Sequence, residues 1–218
     1  MSGAPPDSYG GYRERLVDAL REKGIRDLAV LKAVSEVPRH LFVPASLRAQ
    51  AYEDTSLPIG NGQTISQPST QARALEALRL TGREKVLEVG LGSGYQTALL
   101  GCLASQVFGI ERIPVLAEAA RRALAEAGVR NVSILVGDGT LGWRAYEPYD
   151  AIVVAAASPE VPAPLLEQLV PGGRMLLPLG PRDAQVLTLV TNAAAGPVLE
   201  PLAGASFVPL LGRHGFDA

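Results

Sequence analysis

The segment Val86-Leu87-Glu88-Val89-Gly90-Leu91-Gly92-Ser93-Gly94 decides the fold of this 218-residue chain. An apolar run leads into a loop that has glycine at every second position, and a helical pattern follows over Gln96–Leu103. Glycine permits a tight turn and lets a ligand approach the backbone closely. The spacing is G-x-G-x-G, which differs from the G-x-G-x-x-G of dinucleotide-binding loops. Such a loop can also serve only to pack a helix against a strand, so alone it indicates a strand–loop–helix unit and leaves the ligand open.

From Lys85 onward, short apolar runs alternate with helical patterns. Strands are predicted at Lys85–Val89, Val107–Ile110, Val132–Val136, Ala151–Ala155, Arg174–Leu179 and Val186–Val190. Helices are predicted between them at Gln96–Leu103, Val115–Ala127 and Pro164–Leu169. Alternation of this kind implies an α/β fold with a doubly wound, mostly parallel sheet, covered by helices on both faces and connected by right-handed crossovers.

Two further helices are predicted near the start of the chain, after ten small, polar residues that are expected to be frayed. The first covers Tyr12–Lys23, and its apolar residues at helical spacing are Leu16, Val17 and Leu20. The second covers Asp27–Glu36 and has Asp27 near its N-terminus. The apolar face of this second helix is predicted to contain Leu28, Leu31 and Val34.

The segment Tyr52–Pro68 is rich in Gly, Thr, Ser, Pro and Asn and is predicted to be a long, irregular loop. Loops of that length are often functional. No linker is strong enough to split the chain into independent units. We therefore expect one domain over residues 1–218, in which residues 1–80 form a helical and loop segment and residues 81–218 form the cofactor-binding α/β core.

Composition argues against several classes of protein. The net charge is −2 and no basic run occurs, so no nucleic-acid partner is expected. The longest apolar run, Ala151–Ala157, is too short to span a bilayer, and the start of the chain lacks the pattern of a secretory signal. The single cysteine, Cys102, rules out an internal disulfide and fits a reducing cytoplasm. Because its neighbours are apolar, Cys102 is predicted to be buried with a structural role.

Histidine and cysteine provide little chemistry here. The two histidines, His40 and His214, form no cluster with zinc spacing, so no metal site is predicted. His40 is interpreted as a capping or packing residue and His214 as a solvated residue of a Gly-rich tail. The glycine loop also lacks the G-x-S-x-G pattern of an esterase nucleophile.

Acidic residues follow three consecutive predicted strands. Glu88 lies at the end of a strand that should be mostly buried, where a carboxylate is costly without a partner. It would repel a pyrophosphate but attract a cationic ligand such as S-adenosylmethionine, which carries an ammonium and a sulfonium. An arginine or backbone N–H groups could satisfy Glu88 instead. Glu111 closes the next strand, where it could accept hydrogen bonds from ribose hydroxyls, and Asp138 follows the third, where it could accept one from an adenine amino group.

Four stretches make the chain resemble the protein-L-isoaspartate O-methyltransferase family over roughly residues 30–210. They are Val37-Pro38-Arg39-His40-Leu41-Phe42-Val43-Pro44, Gly62-Gln63-Thr64-Ile65-Ser66-Gln67-Pro68, the glycine segment extended to Tyr95, and Leu169-Val170-Pro171-Gly172-Gly173-Arg174. The last two occur across many methyltransferases, whereas the first two are more specific. The chain departs from the usual family pattern at Ser69-Thr70-Gln71 and at Leu211-Gly212, both on the side expected to face the peptide.

The resemblance implies the fold of an S-adenosylmethionine-dependent, Rossmann-like methyltransferase, with the last two strands ordered differently from the usual arrangement. It also implies that the substrate is the free α-carboxylate of an isoaspartyl residue in a damaged protein, and that Ser66 is the active-site residue. The chain is expected to act as a cytoplasmic monomer without a membrane partner. The predicted cofactor-binding residues are Thr64, Ile65, Glu88, Gly90, Gly92, Ser93, Gly94, Glu111, Arg112, Asp138 and Gly139.

The expected mechanism needs no general base, because the α-carboxylate is already ionised at neutral pH. Ser66 would donate one hydrogen bond that orients this carboxylate toward the methyl group. From the residues alone, Ser66 could instead be a turn-capping serine before Pro68. Two other functions remain open: methyl transfer to a small-molecule carboxylate or hydroxyl, and a cofactor-binding or scaffold protein without activity.

Overall fold

The computed structural model describes residues 9–217, and within them a mostly parallel sheet forms the centre of the molecule. The strands are β1 (Leu57–Gly60), β2 (Gln63–Ile65), β3 (Lys85–Val89), β4 (Gln106–Glu111), β5 (Val132–Val136), β6 (Tyr149–Val154), β7 (Leu169–Leu179), β8 (Gln185–Ala193) and β9 (Gly196–Ala205). The helices are α1 (Gly10–Glu22), α2 (Leu28–Glu36), α3 (Pro68–Leu78), α4 (Tyr95–Leu103), α5 (Pro114–Glu126) and α6 (Ala163–Glu167).

The seven-stranded sheet has the order β5-β4-β3-β6-β7-β8-β9. The strands from β5 to β7 are parallel, whereas β8 is antiparallel to β7 and β9 is antiparallel to β8. The predicted doubly wound, mostly parallel architecture is therefore confirmed. The last strands follow β7 in chain order, and β3, which carries the glycine segment, lies near the middle of the sheet.

Each face of the sheet has its own apolar core. One cluster includes Val86 and packs against α1 to α4, and the other includes Leu87, Val89 and Leu165 of α6. Successive side chains of a strand point to opposite faces. Glu88 therefore shares the face of Val86, beneath α4, and is completely buried. The alternation of the strand thus places a carboxylate inside the core beside the helix that follows the glycine loop.

The N-terminal helices agree with the sequence patterns, with two differences. Asp27 caps α2, since its carboxylate accepts hydrogen bonds from the backbone N–H groups of Ala29 and Val30. Leu28 was expected on the apolar face but is 76% exposed, because it lies in the first turn, outside the face that packs on the core. Residues 1–8 of the expected frayed start lie outside the described residues, whereas Gly10 already belongs to α1.

The prediction that Tyr52–Pro68 forms one irregular loop was wrong in part, because residues 57–65 form a hairpin. Strands β1 and β2 pair across a turn at Asn61 and Gly62, both of which have positive φ. Helix α3, which the sequence patterns did not predict, begins immediately afterwards at Pro68. Proline at the first position of a helix is favourable, since its missing N–H would have no intrahelical partner there. Pro68, which was predicted to end the loop, therefore begins α3.

Two other expectations need correction. Cys102 is exposed, because the turn of α4 buries its apolar neighbours Leu99 and Leu103 but leaves position 102 toward solvent. Strand β9 was not predicted because seven of its ten residues are exposed, so it lacks the alternation of a half-buried strand. In the described part of the chain, no helix is long and apolar enough to cross a membrane.

We expect Asp27→Ala to lower the free energy of unfolding by about 1 kcal/mol, because it removes the N-cap of α2. Urea unfolding would measure the loss. Asp18→Ala is the matched control: Asp18 forms only an exposed ion pair with Arg21, which should contribute under ~1 kcal/mol. Equal stability of the Asp27→Ala variant and the parent chain would show that the cap contributes nothing.

Candidate active site

The three acidic residues expected at strand ends lie along neighbouring strands of the sheet. Glu88 is on β3, Glu111 ends β4 and Asp138 follows β5. Because these strands are parallel and adjacent, the carboxylates lie at the same edge of the sheet. Ligands of open α/β sheets bind at this edge.

The glycine loop crosses the same edge between β3 and α4. Gly90, Gly92 and Gly94 have φ values of 80°, 54° and 89°, in the left-handed region that glycine adopts without strain. A Cβ atom on Gly92 would lie 3.2 Å from the side chain of Ile59 in β1. The β1–β2 hairpin therefore packs closely on the loop, which explains the need for glycine at this position.

Glu111 fixes the shape of the glycine loop. One carboxylate oxygen accepts a hydrogen bond from the Gly92 N–H at 2.9 Å, and the other accepts one from the Ile113 N–H, also at 2.9 Å. The residue is only 5% exposed, yet it lines the main cavity described below. A carboxylate held by two backbone donors has a fixed orientation and keeps lone pairs for a ligand.

Glu88 lies deeper, and one of its oxygens has no hydrogen-bond partner. The other accepts a hydrogen bond from the Gln96 side chain at 3.2 Å, so this contact comes from neither an arginine nor the backbone. Burial raises the pKa of Glu88 to about 7, and the nearby charge of Glu111 contributes in the same direction. An unpartnered buried carboxylate would be stabilised by a cationic ligand placed close to it.

Asp138 binds the C-terminal segment. Its carboxylate accepts hydrogen bonds from the N–H and hydroxyl of Thr140 and from the N–H of Arg213. Burial opposes ionisation, but the hydrogen bond from Arg213 and those from Thr140 hold the pKa of Asp138 below its usual value. Gly139, the next residue, lines the main cavity. The expected contact of Asp138 with an adenine remains a prediction.

A cavity of about 160 Å³ lies over the edge of the sheet where these acids meet, and it is called the main cavity because Glu111 and the glycine loop line it. Its walls come from the hairpin, the glycine loop, the ends of β4 and β6, and the C-terminal segment. The lining residues are Gly62, Gln63, Thr64, Val89, Gly90, Gly92, Ile110, Glu111, Arg112, Ile113, Gly139, Ala155, Ala156, Val208, Pro209, Leu210 and Leu211. Six predicted residues are among them: Thr64, Gly90, Gly92, Glu111, Arg112 and Gly139.

The sequence patterns did not predict the wall formed by residues 208–211. The backbone of Ala157 holds this segment, since its N–H donates to Val208 and its carbonyl accepts from Leu210. The nearest signal in the sequence was the departure from the family pattern at Leu211-Gly212. Leu211, part of the departure expected to face the peptide, lines the main cavity instead.

Ser66 stands between two further spaces. The small cavity, at the N-terminus of α4, is lined by Thr64, Ile65, Ser66, Gln71, Gly90, Leu91, Gly92, Ser93, Tyr95, Gln96 and Ala155. The polar groove, which is open to solvent, is lined by Ser56, Thr64, Ser66, Gln67, Thr70, Asp183, Ala184, Gln185, Gly204, Ala205, Ser206 and Phe207. Thr64 borders all three spaces, and the predicted residues Ile65 and Ser93 border the small one.

Three predicted cofactor residues, Glu88, Gly94 and Asp138, line none of these three spaces. Gly94 is buried at the start of α4, where a Cβ atom would lie 3.1 Å from the side chain of Ala120. Glu88 lies behind Gln96, which lines the small cavity. The geometry therefore gives Gly94 a packing role and connects Glu88 to the cavity through Gln96.

His40 has the packing environment that the sequence indicated. Its ring stacks on Tyr9, with 4.0 Å between ring centroids, and its Nδ1 forms a 2.7 Å hydrogen bond with the Tyr52 hydroxyl. Neither histidine lines any of the three spaces. His214 is exposed in the C-terminal segment, as expected.

Glu88→Gln should raise the free energy of unfolding of the ligand-free chain at pH 8 by up to about 3 kcal/mol. This figure is the free energy that corresponds to the rise in the pKa of Glu88 from 4.5 to about 7. Below pH 4.5 the carboxyl is protonated in both the folded and the unfolded state. Between about 4.5 and 7 only the folded state keeps the proton, so parental stability falls as pH rises through this window and the advantage of glutamine grows.

Urea unfolding of both chains from pH 4.5 to 8 would measure this difference. Glu200→Gln, on the exposed strand β9, is the control for removing a carboxylate. A difference between the Glu88→Gln variant and the parent that did not change with pH would contradict a buried, destabilised carboxylate.

Comparisons with known proteins agree on one family. The model of the protein-L-isoaspartate(D-aspartate) O-methyltransferase family matches residues 12–215. A protein-L-isoaspartate O-methyltransferase of Syntrophus aciditrophicus is 51% identical, over 97% of this chain and 99% of the relative. One of Methanoculleus marisnigri is 50% identical, over 94% of each chain.

Solved structures give the same result. A protein-L-isoaspartate O-methyltransferase matches with a TM-score of 0.84 and 31% identity, over 93% of this chain and 67% of the other. A putative protein-L-isoaspartate O-methyltransferase from Plasmodium falciparum, in complex with S-adenosyl-L-homocysteine, matches with a TM-score of 0.81 and 25% identity, over 91% and 98%. The expected methyltransferase fold is therefore confirmed, and the chain belongs to the protein-L-isoaspartate(D-aspartate) O-methyltransferase family.

Proposed function

We propose that the chain transfers a methyl group from S-adenosylmethionine to the free α-carboxylate of L-isoaspartyl residues in damaged proteins, which initiates their repair. One observation carries the proposal beyond family membership. Ser66 borders both the small cavity beside the glycine loop and the open polar groove. A serine in this place can meet a cofactor on one side and a peptide on the other. No feature of the described site favours a small-molecule substrate or an inactive scaffold.

The site residues suit S-adenosylmethionine, which supplies an electrophilic methyl group when bound. Glu111 would accept hydrogen bonds from the ribose hydroxyls, and the Asp138 carboxylate would accept one from the adenine amino group. Glu88 would stabilise the positive charge of the methionine end through its unpartnered oxygen. Further contacts are proposed from Thr64, Ile65, Gly90, Gly92, Ser93, Arg112 and Gly139, and Gly94 would contribute by packing the start of α4 against α5. The S-adenosyl-L-homocysteine bound to the Plasmodium relative supports this assignment.

The protein's task in the reaction is alignment. The substrate carboxylate is ionised at neutral pH, so no side chain has to remove a proton. The Ser66 hydroxyl would donate a hydrogen bond to one carboxylate oxygen, leaving the other free to attack the methyl carbon. A neutral donor orients the nucleophile without neutralising it. Alignment of bound reactants can contribute roughly 7–11 kcal/mol in favourable cases.

The polar groove would hold the peptide on either side of the isoaspartyl residue. Its walls are the β2–α3 connection and the turns at the ends of β8 and β9. Hydroxyl, amide and backbone groups dominate its lining, and Asp183 is the charged side chain among them. Such a surface can pair with the backbone of many sequences, as repair of varied proteins requires. Thr70, from the departure at residues 69–71, lies in this groove, whereas Ser69 and Gln71 are buried.

The proposal extends to the setting of the protein. We propose a single domain over residues 1–218, and the core cluster that joins residues of α1, α2 and α3 to those of α4 and the sheet supports this. The protein acts as a monomer in the cytoplasm, without nucleic-acid or membrane partners. The net charge of −2 and the single cysteine support this part of the proposal.

We expect methylation of an isoaspartyl peptide to exceed that of the matched aspartyl peptide by at least about a thousandfold. The normal side-chain carboxylate stands off the backbone by one methylene, and a misplacement of about 1 Å can cost a hundredfold in rate. Each buried backbone group that the aspartyl peptide leaves unpaired in the groove would weaken its binding by roughly a further 1–3 kcal/mol. Incorporation of labelled methyl into base-labile ester would measure both rates. Equal labelling, or labelling of a small-molecule acid alone, would contradict the proposed function.

Ser66→Ala should reduce kcat by roughly 10- to 100-fold, equivalent to one hydrogen bond to a charged group, about 1.5–3 kcal/mol. Affinity for S-adenosyl-L-homocysteine, measured by calorimetry, should change by less than about twofold. Ser35→Ala removes a hydroxyl on α2 that lines none of the three spaces, and it should leave kcat near the parental value. Parental turnover by the Ser66→Ala variant would make Ser66 a structural serine.

A further inference from the structure

We propose that Arg39 is a positioning residue for methyl transfer: its buried guanidinium holds Ser66 in place and provides a positive charge behind the substrate carboxylate. This inference rests on the proposed function and adds a residue that contacts neither substrate nor cofactor. It comes from the most unusual side chain of the described core. Arg39 is the largest completely buried side chain, with 0% of its surface exposed.

The guanidinium joins two parts of the Ser66 region. Its Nη2 donates a 2.9 Å hydrogen bond to the backbone carbonyl of Ser66, and its Nη1 donates a 3.0 Å hydrogen bond to the Oε1 atom of Gln71. Ser66 follows β2, and Gln71 lies in the first turns of α3. The planar fork of arginine therefore fixes the connection between the hairpin and α3, where lysine could make only one of these contacts in the same geometry.

No carboxylate lies within ion-pair distance of the guanidinium among residues 9–217, and Asp54 acts on its charge only from farther away. No ion pair involves Arg39 there, and its Nε atom has no hydrogen-bond acceptor. The guanidinium carbon instead lies 4.6 Å from the centroid of the Tyr95 ring. Burying an unpaired charge is expensive, and apolar side chains of similar volume often stabilise a core at least as well. If position 39 only had to fill the core, an apolar side chain of similar volume would stabilise the fold at least as well as arginine.

The three groups around the guanidinium all belong to the small cavity. Ser66, Gln71 and Tyr95 line it, whereas Arg39 itself lies one layer behind. An anion held by the Ser66 hydroxyl would thus have the positive charge of Arg39 close by, across a layer of low dielectric constant. Glu88 and Glu111 would repel the carboxylate of the substrate. The positive charge of Arg39 offsets this repulsion and so favours binding of the substrate carboxylate beside them. Since Arg39 makes no direct contact, the carboxylate keeps its nucleophilicity.

A double-mutant cycle between Arg39 and Ser66 tests the proposal. Arg39→Lys keeps a charge but loses the fork, and should reduce kcat by about tenfold with the isoaspartyl peptide. Arg39→Met loses both the positive charge and the two hydrogen bonds of the guanidinium, and it should reduce kcat/KM by about a hundredfold. Affinity for S-adenosyl-L-homocysteine should stay within about threefold in both variants. In the Ser66→Ala background, Arg39→Lys should change kcat by less than about twofold, since the hydroxyl that it positions is gone.

Two outcomes of the double-mutant cycle would contradict the proposal. Losses from Arg39→Lys and Ser66→Ala that simply multiply would mean that Arg39 acts independently of Ser66, and parental activity of Arg39→Lys would mean that the fork is dispensable. Either result overturns the proposal. Gln71→Leu leaves the guanidinium in place and removes one acceptor, so it tests the same coupling if Arg39→Met does not fold. A parent chain that is inactive on isoaspartyl peptides would instead contradict the proposed function.

Discussion

The hydrogen bond between the Gly92 N–H and the Glu111 carboxylate is the contact on which the site depends. It ties the loop after β3 to the end of β4, and so fixes the glycine loop relative to the neighbouring strand. The loop needs glycine because its backbone takes positive φ and because Ile59 packs directly against Gly92. The second oxygen of Glu111 holds the start of the connection to α5 at Ile113. One buried carboxylate thereby shapes the main cavity while it faces that cavity.

The three strand-end acids resemble one another in sequence but have different environments. Glu111 is held by backbone donors, Glu88 is buried with an unpartnered oxygen, and Asp138 binds the C-terminal segment. Burial raises the pKa of Glu88, whereas hydrogen bonds lower that of Asp138. The differences arise because each strand meets a different covering element. Acidic residues at the ends of strands can therefore fix a loop, lie buried with an unpartnered oxygen or anchor a wall of the cavity.

Long-range contacts assemble the peptide side of the site. The hairpin, the start of α3 and the turns of β8 and β9 come from distant parts of the chain and meet around Ser66. Arg39 contributes from a short 3₁₀ turn after α2, through hydrogen bonds to residues 27 and 32 positions further along the chain. Its buried charge offsets the acidic character of the neighbouring cofactor side. A site that must bind a cationic cofactor beside an anionic substrate needs charges of both signs at short range.

The sequence by itself determined the α/β alternation, the central strand with its glycine loop, and the order of acids along the chain, because each follows from short-range periodicity or from the backbone freedom of glycine. It also indicated Ser66 through a family segment. It did not reveal the hairpin at residues 57–65 or helix α3, since turn residues and a proline there resemble a loop. Only the tertiary structure decided that Cys102 and Leu28 are exposed, that residues 208–211 cover the main cavity, and that Arg39 lies under Ser66. These features depend on which elements pack together across the fold, and such contacts between distant residues leave no periodic pattern in the chain.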